Sequence, residues 1–153
     1  MPAASPSYAT AHEHAVPARA ERLAYAGLLP FVLGSVLSLL VHDEAHPYVL
    51  LALSAYAGVV VAFLGGVHWG VGMLGMPGST AGLTWSVIPS LVACVAMVMP
   101  AYAGLVILGG LLLICYLVDR RLYPGYGLAS WLTLRFRLTL GAVLSCFIAA
   151  GGA

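Results

Sequence analysis

Four charged or chargeable residues stand out against the long apolar runs of this chain as candidates for chemistry: His68, Asp119, Arg135 and Arg137. A histidine, a carboxylate and guanidinium groups together can hold a proton, an anion or an ion-paired relay, and ionisable groups at membrane depth are functional candidates by default. Trp69 adjoins His68 and joins this candidate ligand-binding or polar cluster. A second polar stretch, His42-Asp43-Glu44-Ala45-His46-Pro47, resembles H-E-x-x-H in its histidine spacing, but Asp43 stands where the zinc-protease motif needs Glu. Pro47 marks a helix start rather than a helix running through both histidines, so the stretch reads as a hydrated turn. His12, Glu13 and His14 lack a fourth ligand, and no metal site is expected there. The three cysteines, Cys94, Cys115 and Cys146, sit singly in apolar runs and read as small buried hydrophobes. Lysine is absent, which excludes a lysine Schiff base, and no residue reads as catalytic.

These residues have to be positioned by membrane helices. Of 153 residues, 62% are hydrophobic and 7% charged, and the mean hydropathy is +1.02. Soluble domains carry about a quarter charged residues, so the chain reads as an all-α integral membrane protein. A net charge of +1 leaves no footprint for nucleic acid. Residues 1–20 read as a disordered polar tail and 21–153 as a bundle of five transmembrane helices, at about 23–41, 48–74, 81–99, 101–118 and 131–150. Pro100 and Gly104 divide an otherwise continuous run into the third and fourth helices. The first run lacks an A-x-A cleavage site and is expected to be retained, with Pro30 inside it.

The helix at 48–74 reads as the centre of the bundle. Ser54, Gly58, Ala62, Gly66 and Gly70 recur every four residues, a small-residue stripe that lets another helix backbone come close. Gly65, Gly72 and Gly75 thin a second face, which also carries His68.

Charge sets the expected orientation. With five crossings, Arg19, Arg22, Arg120, Arg121, Arg135 and Arg137 all fall on one side and the acidic loop on the other. The N-terminus is then inside and the C-terminus outside. Tyr123, Tyr126 and Trp131 are expected in an interfacial belt on the basic side. Glu13 and Glu21 in the leading segment argue against a transit peptide, which favours a bacterial inner membrane over a mitochondrial one.

Depth decides whether the ionisable residues can meet. His68 lies roughly twenty residues along its helix from the outer boundary, about 30 Å at about 1.5 Å per residue, near the inner edge of the hydrocarbon. Asp119, closing the fourth helix, and Arg135 and Arg137, opening the fifth, reach the same level, so a cluster of His68, Asp119 and one arginine is geometrically available. The competing expectation, ranked ahead of it, is that each group snorkels to water separately. A bis-histidine haem is disfavoured because no other histidine lies inside a helix.

Five short motifs carry a resemblance. They are Gly27-Leu28-Leu29-Pro30-Phe31, Phe63-Leu64-Gly65-Gly66-Val67-His68-Trp69-Gly70, Trp85-Ser86-Val87-Ile88-Pro89-Ser90-Leu91, Tyr123-Pro124, and Leu134-Arg135 followed by Leu138-Thr139. Together they resemble a family of small multi-pass membrane proteins of unknown function from bacteria and mitochondria that includes transmembrane protein 69. Gly125 departs from that pattern, standing where an aromatic residue is usual. The resemblance implies membrane location and a shared helical core; it brings no established activity, so no catalytic residue is carried over, and any cofactor is unknown.

Three functions are consistent with these observations. First in rank is a non-enzymatic accessory or assembly module that docks on a membrane-protein partner, or on its own copy, through the glycine-rich faces. Next is a small transporter or a lipid- or ligand-binding bundle using His68, Asp119 and an arginine at the inner edge, with membrane lipid as a partner. Last is a haem or quinone redox protein.

Overall fold

The computed structural model describes residues 15–76 and 79–152, and among these every regular element is helical. Five helices follow one another: α1 (Ala18–Leu40), α2 (His46–Met73), α3 (Ser79–Val98), α4 (Ala101–Leu122) and α5 (Leu132–Gly151). Two short 3-10 turns, Tyr123–Tyr126 and Ala129–Trp131, join α4 to α5. All five helical segments are long and apolar enough to cross a membrane. The polar tail expected for residues 1–20 falls mostly on residues outside the description; His12, Glu13 and His14 are among them, as are Pro77 and Gly78 of the α2–α3 connection.

Helix α2 packs on α1, α3 and α4, while α5 closes the bundle against α4 and α1. Its exposed residues, such as Leu51, Val59 and Phe63, face outward where acyl chains would lie, and its buried face carries Leu50, Leu53, Ala57, Val61 and Leu64. The main core continues into Leu105, Leu108 and Leu112 of α4 and Val143 and Cys146 of α5. The Tyr56 hydroxyl ties α2 to α1 by donating to the Gly27 carbonyl at 2.7 Å.

Small residues set the α2–α3 spacing, but not as one stripe of four-residue steps. Ser54 and Gly58 are buried, Ala62 is half-buried, and Gly66 and Gly70 are exposed with nothing near the place a Cβ would occupy. Each four-residue step turns about 40° past a full circle, so after four steps the stripe has rotated away from its first neighbour. The face that meets α3 is instead Gly58, Gly65 and Gly72, where a Cβ would collide with Met97, the Ser86 carbonyl and Leu83 respectively. Seven residues come close to two full turns, which keeps this set aligned. Helix α3 answers with small or compact buried residues, Gly82, Ser86, Pro89, Ala93 and Ala96.

Two boundaries differ from the sequence reading in ways that matter for the site. Helix α1 begins at Ala18, so Arg19 and Arg22 are helical, which long basic side chains permit because their heads reach out along the helix end. Helix α4 runs on to Leu122, which places Asp119 inside the last turn rather than in a loop. The His42–His46 stretch closes as a turn, the His42 carbonyl accepting from the Ala45 and His46 amides, and α2 starts only at His46.

Candidate functional site at the arginine-rich end

His68 is brought to α3, α4 and α5 by the α2 face that Gly65 and Gly72 thin, and it is 0% exposed. Its Nε2 lies 2.8 Å from Oδ1 of Asp119, which is 1% exposed. Arg135, one turn into α5, donates from Nε to the other carboxylate oxygen, Oδ2, at 2.9 Å, and from Nη2 to the same oxygen. Three helices are thus joined through one carboxylate. The arginine side chain is 12% exposed, so it is the edge of the cluster that faces outward. Arg135 also hydrogen-bonds Tyr123.

The turn after α4 covers the cluster. Tyr123 and Tyr126 fall four and seven residues after Asp119, so they continue its helical face, and both rings lie 6.0 Å from the His68 ring between centroids. Both are buried, in a small second core with Val71, against which Trp131 and Leu128 pack. This corrects the expected belt: the two tyrosines turn inward over His68 instead of outward to the interface, because α4 overruns and its tail folds back. Gly127, at φ 72°, makes that fold possible, since its left-handed backbone lets the Leu128 amide return to the Tyr123 carbonyl at 2.9 Å.

The chemistry follows from donors and acceptors. A carboxylate only accepts, so the His68 nitrogen facing Asp119 carries a proton. Among the described residues the second nitrogen, Nδ1, has no hydrogen-bond partner, nor has the Tyr126 hydroxyl, and both atoms are buried. Both lie beside Gly82 of α3: a Cβ there would overlap the Tyr126 hydroxyl and stand 3.4 Å from His68 Nδ1, so the missing side chain is what lets the hydroxyl occupy that position. Buried polar atoms are nearly always satisfied, and two orphans beside one glycine mark unmet hydrogen-bonding capacity. Among the described residues no three His, Cys, Asp or Glu side chains converge, so the donor set is that of a hydrogen-bonding site.

His68, Asp119 and Arg135 therefore meet and bury one another instead of reaching water separately. Trp69 turns outward, 52% exposed, about 100° round the helix from His68. Arg137 is exposed and reaches toward Tyr25 of α1, two residues and about 200° round the helix from Arg135. Tyr123, Tyr126 and Gly82 were not expected in the site. The spacing of the tyrosines from Asp119 could have identified them once α4 was extended past Val118; nothing in the sequence marks Gly82.

Compared with known proteins, residues 16–151 match the profile of a family described as a protein of unknown function, DUF3429. No curated protein and no solved structure matches the chain.

Proposed function

We propose, for a chain that belongs to the DUF3429 family of proteins of unknown function, a reading built on its own geometry: a self-contained membrane bundle that binds a small polar ligand at its arginine-rich end, in the His68, Asp119 and Arg135 cluster. The supporting observation is the pair of orphaned buried atoms, His68 Nδ1 and the Tyr126 hydroxyl, both beside Gly82. Asp119 orients the imidazole and Arg135 balances the carboxylate, so Nδ1 meets a ligand without an uncompensated negative charge behind it. The ligand offers either a donor to Nδ1 or an acceptor to Tyr126. In this reading the N-terminus and the arginine-rich end face the inside of a bacterial inner membrane, following the positive-inside rule. Kinship with transmembrane protein 69 belongs to the same proposal and rests on the quoted motifs.

The test starts with extraction of tagged protein from its own membranes in mild detergent and identification of what stays bound. Ligand-dependent thermal stability is then compared among wild type, His68→Ala and Tyr126→Phe. Loss of the ligand-induced shift in both variants is expected; an undiminished shift would remove the cluster from this account.

A second reading has its own observation. Gly66 and Gly70 are exposed, four residues apart and open on the outer side of α2, beside the outward-facing Trp69. An accessory module docking a partner helix or a second copy would use this surface. Gly66→Leu with Gly70→Leu would then abolish co-purification of a stoichiometric partner while leaving the fold intact.

A further inference from the structure

We infer that the α4–α5 flank at the arginine-rich end holds the head group of an anionic phospholipid. An open groove of about 400 Å³ there is lined by Tyr116 and Arg120 of α4 and Leu132, Thr133 and Phe136 of α5. It is separate from the buried cluster: Arg120 follows Asp119 in sequence but turns outward and is exposed.

Charge selects the occupant. Arg137 reaches Tyr25 near the start of α1, and Arg135 meets Asp119 and His68 near the ends of α4 and α2, so the chain's six basic residues gather at one end. Among the described residues two carboxylates, Glu21 and Asp119, lie at that end, and Asp119 is buried and already used. Arg120 has no ion pair among the described residues. An exposed guanidinium between a threonine hydroxyl and aromatic rings suits a phosphate with apolar chains attached, and basic pockets between membrane helices are where such head groups dock.

The walls match the rest of that molecule. The Tyr116 and Phe136 rings stand 5.6 Å apart between centroids. One turn farther from the basic end, on the same two helix faces, Leu113 and Leu140 are exposed. A phosphate at Arg120 therefore has an apolar track running from it along α4 and α5. A free anion would leave that track unused.

The experiment is native mass spectrometry of the full chain released from mixed micelles of phosphatidylglycerol and phosphatidylcholine, with Arg120→Gln and Arg121→Gln beside wild type. Arg121 is equally exposed but does not line the groove, so it controls for the general charge of that end. Preferential retention of phosphatidylglycerol is expected in wild type and Arg121→Gln, and about a fivefold drop in Arg120→Gln, the size of one basic contact at an anionic surface. Equal retention in Arg120→Gln, or an equal loss in Arg121→Gln, would overturn the inference. So would competition by inorganic phosphate as effective as by the lipid. The site does not involve His68 or Tyr126, so this result and the ligand test above fail independently.

Discussion

Replacing Asp119 with Asn gives the most informative perturbation of this protein. The carboxylate is 1% exposed, and each oxygen is used: Oδ1 by His68 and Oδ2 by Arg135. The amide can still accept from His68 through its oxygen, but its NH₂ then faces the Arg135 donors and the arginine charge loses its counter-ion. Breaking one partner out of a buried ion pair costs about 3–5 kcal/mol in soluble proteins. Two effects reduce that figure here. Arg135 is partly exposed and can swing its head toward water, and polar contacts between membrane helices average under about 1 kcal/mol, reaching about 1.7. We expect a loss of about 2–3 kcal/mol for Asp119→Asn, measured by reversible unfolding in mixed micelles of mild detergent and dodecyl sulfate. Arg135→Gln should cost about as much, because it leaves a buried carboxylate with one donor. The double variant should fall short of the sum by at least about 1 kcal/mol, since the second substitution removes a group the first has already stranded. A triple replacement of His68, Asp119 and Arg135 by Leu should recover much of the loss, as apolar replacements of buried ionic groups often do. Additive single effects, or an Asp119→Asn cost below about 0.5 kcal/mol, would mean that the three side chains do not act as a unit, and the argument from the shared carboxylate would collapse.

Three other outcomes follow from contacts described above. Gly82→Ala drives a methyl group into the Tyr126 hydroxyl and should destabilise by about 1–3 kcal/mol; adding Tyr126→Phe removes the obstructing oxygen, so unfolding of the double variant should show much of that cost relieved. Gly65→Ala pushes against the Ser86 backbone carbonyl and should cost a similar amount, whereas Gly66→Ala, with open space around it, should be neutral or raise stability by up to about 1 kcal/mol through helix propensity, a contrast that one denaturation series can read. Tyr56→Phe loses the bond to the Gly27 carbonyl and should cost about 1 kcal/mol, detected as faster hydrogen exchange where α1 meets α2.

Much of the fold was open to reading because membrane helices advertise themselves. Apolar runs of the right length, broken among other places at Pro100 and at the acidic loop, lead directly to five helices long and apolar enough to span a membrane. The ends were harder. Arg19 and Arg22 look like loop residues to a hydropathy argument, yet a helix end can keep them while their side chains extend outward. The same ambiguity hid the site. Ending α4 at Val118 makes Asp119 a boundary residue with easy access to water, and Tyr123 and Tyr126 then look like interface anchors. Carrying the helix to Leu122 puts all three residues on one face that points at His68. The glycine pattern was visible, but its geometry was not: a four-residue repeat drifts round an α-helix while a seven-residue repeat stays, so Gly58, Gly65 and Gly72 form the packing face and Gly66 and Gly70 do not. Gly82 acts only through what α2 and the α4–α5 turn bring beside it, and no pattern within α3 announces that.

The order in which helices leave a ribosome gives the shared carboxylate another meaning. His68, on α2, is synthesised first; Asp119 follows, on α4; and Arg135 arrives last, on α5. Until α5 enters the membrane, the nascent bundle holds Asp119 without the guanidinium that binds it in the finished protein, which keeps that end of α4 near the interfacial water. Insertion of α5 both supplies the guanidinium and closes the bundle against α1. Neutralisation of one charge and completion of the bundle thus coincide, so the ion pair forms only in a chain whose last helix is in place.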